Sequence, residues 1–293
     1  MFFKCSPFGH FYQNHIARAP ANEGHGETVT NGKKHFTVDI HCHIHVPEAD
    51  EMLKTLSPDY TGRSMVDTNP LTAKINKEQQ ASILPQLTDP EIRLRDMDQQ
   101  GIDVQAISPS PFHYNYDYDA DFTRNTCKIV NDRVAEVVAS HPDRFVGLCT
   151  VPLQNCDLAI AELERCINEL GFKGVEISTN VQGMDLTRAG LDKFFSRVED
   201  LNTLIFMHPI GTSYKERMDD HYFRNTIGHP LESALAVGHL VFDGYLDKYS
   251  GLKICVAHGG GYIPAYYGRF DHPYRLRDDC RANISEPPSK FVN

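Results

Sequence analysis

From residue 36 onward, short β-branched runs alternate with longer amphipathic stretches, and this alternation constrains the fold more than any other feature of the sequence. Six runs read as strands: Phe36–His41, Ile102–Ser108, Phe145–Val151, Gly174–Ser178, Thr203–Met207 and Leu252–Ala257. Between them, Asp117–Ser140, Asp157–Leu170, Gly190–Asp200 and Leu231–Lys248 carry apolar residues at three- and four-residue spacing and read as helices. In Asp157–Leu170 the stripe is Leu158, Ile160, Leu163, Cys166 and Ile167, which leaves Glu162, Glu164 and Arg165 to water. Strand, helix, strand in repetition is the order of a parallel sheet with helical crossovers. The polar, proline-containing stretch Pro47–Pro85 interrupts the rhythm and reads as an insertion after the first strand. One more helical stretch reaches about Arg277. Six strands do not close an eight-stranded barrel, which takes roughly 250 residues without insertions.

Composition narrows the class. A chain of 293 residues with 41% hydrophobic content can build one large core, taken here as residues 36–293. No run approaches the roughly 18 uncharged apolar residues of a membrane span. The formal charge of −10 repels phosphate backbones and anionic lipid, which excludes nucleic acid and membranes as partners. Eight cysteines are scattered without a CxxC pair, the usage of a reducing cytoplasm. Residues 1–35 are rich in Gly, Asn and His, lack a secretory apolar segment, and read as a mobile extension.

Chemistry concentrates at strand ends. In Val38-Asp-Ile-His-Cys-His-Ile-His45, side chains two apart share a face, so Asp39, His41 and His43 are expected on one side and Val38, Ile40 and Cys42 on the other. A His-x-His at a strand's C-terminal end can clip one ion between two imidazoles. His208 follows the run Thr-Leu-Ile-Phe-Met, and His258 follows Leu-Lys-Ile-Cys-Val-Ala. Any one of these alone reads as a core or surface histidine; three strands ending alike read as a metal site. Neutral imidazoles select zinc or another first-row divalent ion over calcium or magnesium. The triple glycine after His258 also occurs in serine hydrolases, but no Gly-x-Ser-x-Gly elbow accompanies it here. Gly24-His-Gly26 lacks the strand and third glycine of a dinucleotide motif.

Taken together and in order, Val-Asp-Ile-His-Cys-His, Asp-Pro-Glu-Ile-Arg-Leu-Arg-Asp-Met-Asp (89–98), Arg-Phe-Val-Gly-Leu (144–148), Glu-Leu-Gly-Phe-Lys-Gly-Val (169–175), Met-His-Pro (207–209) and Val-Ala-His-Gly-Gly-Gly (256–261) resemble the aminocarboxymuconate-semialdehyde decarboxylase group of the amidohydrolase superfamily. The resemblance implies a TIM-type (β/α)8 barrel with a small insertion after strand one (about 47–85) and a single divalent metal, usually zinc. It matches His41, His43 and His208 to metal ligands and His258 to the catalytic histidine. Arg269, in Tyr-Tyr-Gly-Arg-Phe, matches an arginine that reaches the neighbouring subunit's substrate carboxylate in a homodimer, a task suited to a guanidinium; the bland reading of Arg269 is an exposed helix ion pair. The family's last metal-binding Asp, in a Gly-Thr-Asp-Tyr-Pro segment, has no counterpart, and Asp271, Asp278 and Asp279 do not replace it. The expectation is therefore a C-terminally truncated barrel.

The function so implied is non-oxidative decarboxylation of an unsaturated or aromatic carboxylic acid, a small-molecule carboxylate being the partner. Two other readings stand beside it: a hydrolase or hydratase acting on a related dicarboxylate with the same metal constellation, and a truncated, non-catalytic relative.

Overall fold

The computed structural model describes residues 29–30, 33–56 and 69–291. The sequence reading of residues 1–35 as a mobile extension falls almost wholly outside them. Six strands form one sheet: β1 Val38–Ile44, β2 Val104–Pro109, β3 Phe145–Cys149, β4 Gly174–Ile177, β5 Leu204–Met207 and β6 Lys253–Val256. They lie side by side in chain order, and every neighbouring pair is parallel. Helices carry the chain back each time, as parallel pairing requires. Between β1 and β2 run α1 Pro47–Lys54, α2 Pro70–Thr88 and α3 Pro90–Gln100. The later crossovers are α4 Ala120–Ser140, α5 Cys156–Asn168, α6 Asp192–Asp200, and the pair α7 His229–Phe242 and α8 Tyr245–Lys248. After β6 comes α9 Ile263–Leu276.

The sheet is curled. Five steps of roughly 4.8 Å would hold β1 and β6 about 24 Å apart if it were flat. Instead the rings of His41, in β1, and His258, just beyond β6, have centroids 5.3 Å apart. The concave side is filled by Ala106, Leu148, Phe206 and Ala257, with Ile40, Val146 and Cys255 against them. The convex side packs Cys42, Ile107, Cys149, Val175, Ile177, Ile205 and Met207 under the helices, in the larger core. This is the TIM-type architecture expected from the sequence, present as a six-stranded half-barrel.

Three local expectations are corrected. First, the β1–β2 register shifts between Asp39 and Cys42. This bulge breaks the two-residue alternation: Ile40 joins the concave cluster while Cys42 joins the convex one. Asp39 accordingly does not share a face with His43; its carboxylate accepts from Gln105 at 3.3 Å, and Gln105 accepts from the buried Arg93 of α3 at 3.1 Å. Second, Glu162 turns inward rather than to water. It accepts from Asn131 at 2.7 Å and from Arg165 at 2.7 Å, and Asn131 in turn bonds the Thr150 backbone, locking α4 to α5 beneath the end of β3. Third, Leu231–Lys248 is two helices, parted where Gly244 takes φ 78°.

The stretch read as an insertion is helical where described. Its two helices, α1 and α2, and α3 after them each begin with proline, where the missing N–H has no helical partner to lose. Among the described residues no helix is long and apolar enough to cross a membrane, and seven cysteines are free.

Candidate metal centre

The curl brings the strand-end histidines to one point above the concave core. His41 Nε2 and His43 Nε2 face each other at 3.1 Å. Two imidazoles on one tetrahedral ion, at roughly 2.0–2.1 Å each, would set their nitrogens roughly 3.3 Å apart, so the pair already has the spacing of a bidentate clip. The His208 ring lies 5.0 Å from that of His41 and 4.8 Å from that of His43, and His258 lies 4.7 Å from His208, centroid to centroid. One nitrogen each of His41, His208 and His258 falls within a 4.8 Å group, and so do donor atoms of His43, Glu176 and His208.

Each side chain is held by a local cause. The β1 bulge turns His41 inward beside Phe206, 5.4 Å between centroids. Arg93 donates to the His43 carbonyl at 2.5 Å from the helix side. His208 follows β5 directly, and its N–H donates to the Ile177 carbonyl of β4 at 2.9 Å. His258 sits at φ 56°, opening a run of four positive φ values that continues through Gly259, Gly260 and Gly261. Histidine tolerates this left-handed region at a cost of about 1–2 kcal/mol, a strain typical of functional turns.

Electrostatics favour neutral rings. Burial, then the neighbouring histidines, push His41 down to about 2 and His208 well below the usual imidazole range. Burial and His43 lower His258 to about 4; burial and His258 lower His229 to about 4. Nδ1 of His208, Nδ1 of His258 and Oε2 of Glu176 are buried without a hydrogen-bond partner. Buried polar atoms are rarely left so. Unprotonated imidazoles around a pre-spaced clip, with orphaned donors beside them, fit a first-row divalent cation. A pH consequence follows. His41, His208, His229 and His258 stay neutral when folded but titrate near 6.5 when unfolded, so below pH 6.5 the unfolded chain binds more protons. Metal-free stability should therefore be full above pH 6.5 and fall as pH drops toward 4, by up to about 1.4 kcal/mol per pH unit per histidine. Urea titrations across pH 4–8 would show it; a flat profile would mean that the rings are charged in the fold.

Two residues of the site were not anticipated. Glu176, in the four-residue β4, points to the concave side and is fully buried; its Oε1 accepts from the Tyr114 hydroxyl at 2.6 Å, and its Oε2 lies 3.5 Å from His43 Nδ1. Burial and the Glu176 carboxylate raise the Tyr114 phenol well above its usual range, so it remains a donor. His229 opens α7 after a π-helical turn, Arg224–Gly228, and its ring lies 5.4 Å from that of His258. Arg269 stands apart. It is exposed on α9 beside His272 and Pro273 and forms no ion pair among the described residues, contrary to the bland reading of it. Of the late acids, Asp271 accepts from Ser289 N and Oγ at 3.0 and 2.8 Å, Asp279 pairs with Arg277, and Asp278 pairs with Arg281.

Known proteins share this frame. The chain is 33% identical over 197 residues to 2-amino-3-carboxymuconate-6-semialdehyde decarboxylase of Dictyostelium discoideum, covering 67% of this chain and 55% of that one. It is 30% identical over 203 residues to γ-resorcylate decarboxylase of Rhodococcus jostii (strain RHA1), covering 62% and 59%. It thus spans less than two thirds of the length of these relatives. A solved 5-carboxyvanillate decarboxylase of Novosphingobium aromaticivorans, with bound manganese and 3-methoxy-4-hydroxy-5-nitrobenzoic acid, superposes with a TM-score of 0.75 at 27% identity over 86% of this chain and 74% of that one. The amidohydrolase family model matches residues 38–278, which takes in all six strands and every histidine of the cluster, and the chain belongs to that family.

Proposed function

We propose that this chain is a metal-dependent non-oxidative decarboxylase of an unsaturated or aromatic carboxylic acid. The observation that carries the reading is the convergence of His41, His43, His208 and His258 at the strand ends of a fold shared with decarboxylases. His41, His43 and His208 would hold the ion. Zinc suits their nitrogen donors, and the manganese of the carboxyvanillate enzyme marks the alternative. When bound, a divalent ion supplies a fixed positive charge for substrate oxygens and for the negative charge that develops as carbon dioxide leaves.

The chain's own groups do the rest. When the carbon–carbon bond to the carboxylate breaks, its electron pair stays on the substrate carbon, which must take up a proton. His258, neutral in the free site and adjacent to His208, is placed to accept a proton from the substrate's functional group or from water and return it to carbon. Phe206, edge-on to His41 at 5.4 Å between centroids, and its apolar neighbours Ala106, Leu148 and Ala257 form an apolar floor beneath the histidines. Arg269, exposed on α9, is read as reaching the substrate carboxylate of a second copy in a homodimer. The seven described cysteines, four of them buried, are in no disulfide, which suits the reducing cytoplasm.

The test is carbon dioxide release by zinc- or manganese-loaded protein from aminocarboxymuconate semialdehyde and from γ-resorcylate. Release should depend on the metal and fall roughly 10²–10⁴-fold in His258→Asn. Hydration of an unsaturated dicarboxylate with no carbon dioxide evolved would replace this reading by the hydratase one.

A further inference from the structure

We propose that Glu176 is a positioning residue of the metal centre: its buried carboxylate, behind His43 Nδ1, reinforces through its charge the tautomer that turns Nε2 toward the ion. The inference rests on the metal-binding role proposed above. It begins with β4, whose Val175 and Ile177 pack on the convex side and so turn Glu176 to the concave one. There the carboxylate is fully buried. Tyr114, on the turn after β2, donates to Oε1 at 2.6 Å; its hydroxyl is also 3.1 Å from the His208 carbonyl, and one hydrogen serves the shorter contact. Oε2 is left without a hydrogen-bond partner, 3.5 Å from His43 Nδ1.

The surroundings of His43 settle which nitrogen carries hydrogen. Nδ1 is 3.1 Å from the Pro109 carbonyl, 3.2 Å from Ser108 Oγ and 3.5 Å from Glu176 Oε2. A carbonyl and a carboxylate only accept, so Nδ1 is the N–H; its hydrogen serves the shorter contact, to Pro109, and the Glu176 carboxylate behind it acts through its charge. Nε2 then keeps its lone pair, and Nε2 is the atom that meets His41 at 3.1 Å. A carboxylate behind a ligating imidazole raises its basicity and fixes its plane, and loss of such a partner typically weakens metal affinity by roughly 10–100-fold. Without an ion the same carboxylate is a buried charge with an orphaned oxygen, which destabilises the fold. Glu176 should therefore oppose stability in the metal-free chain and favour it in the loaded one.

That opposition of signs separates positioning from a purely structural role. In the full chain, Glu176→Gln keeps the shape and the bond from Tyr114 but removes the charge. Zinc titration against a chromophoric chelator should show affinity roughly 10–100-fold weaker. The cobalt-substituted protein should show absorption bands moved in energy at unchanged intensity, as for an intact ligand set with one altered imidazole. Metal-free Glu176→Gln should unfold at the same temperature as wild type or higher, and gain less on adding zinc. Tyr114→Phe should lower affinity in the same direction by less. Wild-type affinity and cobalt spectrum in Glu176→Gln would overturn the proposal, as would a metal-free variant that melts lower. A large change in cobalt band intensity would replace positioning by direct ligation. If wild type itself takes up neither zinc nor cobalt, the metal reading above fails, and this inference with it.

Discussion

Exchanging His41 and His43 together for alanine should reduce bound metal from about one ion per chain to near zero, without unfolding the sheet. The two nitrogens form the pre-spaced half of the site, 3.1 Å apart, and what remains is His208 and His258 on separate strands. Structural zinc is bound with apparent free energies of about 10–16 kcal/mol, and here two of the three proposed ligands are lost. Removing two donors should cost at least half of that, a loss of affinity well beyond roughly 10³-fold. Elemental mass spectrometry on protein purified without chelator gives the metal content, and circular dichroism checks the fold. Any metal-dependent carbon dioxide release should vanish in parallel. A double variant that keeps its ion would place the metal elsewhere and would undo the clip as argued from β1.

The second large effect concerns Gly261. It sits at φ 64°, ψ −128°, a region open only to glycine, and an added methyl would overlap the Pro230 carbonyl oxygen and come within 3.2 Å of Ser233 Cβ. Pro230 and Ser233 belong to the first turns of α7, the helix that carries His229. The glycine turn and the start of α7 are thus packed backbone to backbone, with no flexible side chain between to yield. Gly261→Ala should cost about 2–4 kcal/mol in urea denaturation and should push His258 and His229 apart. Gly259→Ala is the control. Its φ is 66° but nothing lies within 4 Å of the added methyl, so only the left-handed strain of about 1–2 kcal/mol applies. Equal losses in the two variants would show that close packing at Gly261 plays no part.

What could be read from the sequence follows from how far each signal reaches along the chain. The six strands were legible because each is a short, largely apolar run set off by longer amphipathic stretches, and the ends differ from the observed ones by a few residues. His41, His43, His208 and His258 were legible because a histidine closing such a run stands out against it. The bulge was not. It depends on how β1 meets β2, a pairing across more than sixty residues that no local alternation encodes. Glu176 escaped for a related reason: in a strand of four residues, Gly-Val-Glu-Ile, alternation marks Glu as opposite to its neighbours but not which side is concave. His229 lies in no apolar run, and only the fold shows that the helix it opens starts beside His258. Glu162 was misread because a helical stripe sorts residues by polarity, whereas Asn131, thirty-one residues earlier, supplies the partner that lets an acid turn inward. The break at Gly244 was the one miss with a local mark, since glycine is the residue that readily takes φ 78°.

The placement of the histidines along the chain also sets an order of events during synthesis. His41 and His43 leave the ribosome first, and His258 follows 215 residues later, a count from 43 to 258. At about 5–20 residues per second that interval is on the order of ten to forty seconds. Throughout it, the nascent chain carries His41 and His43 without the His208 and His258 that complete the cluster. The four rings can therefore meet only when β5 and β6 close the curl, so the part of the chain made last completes the part made first.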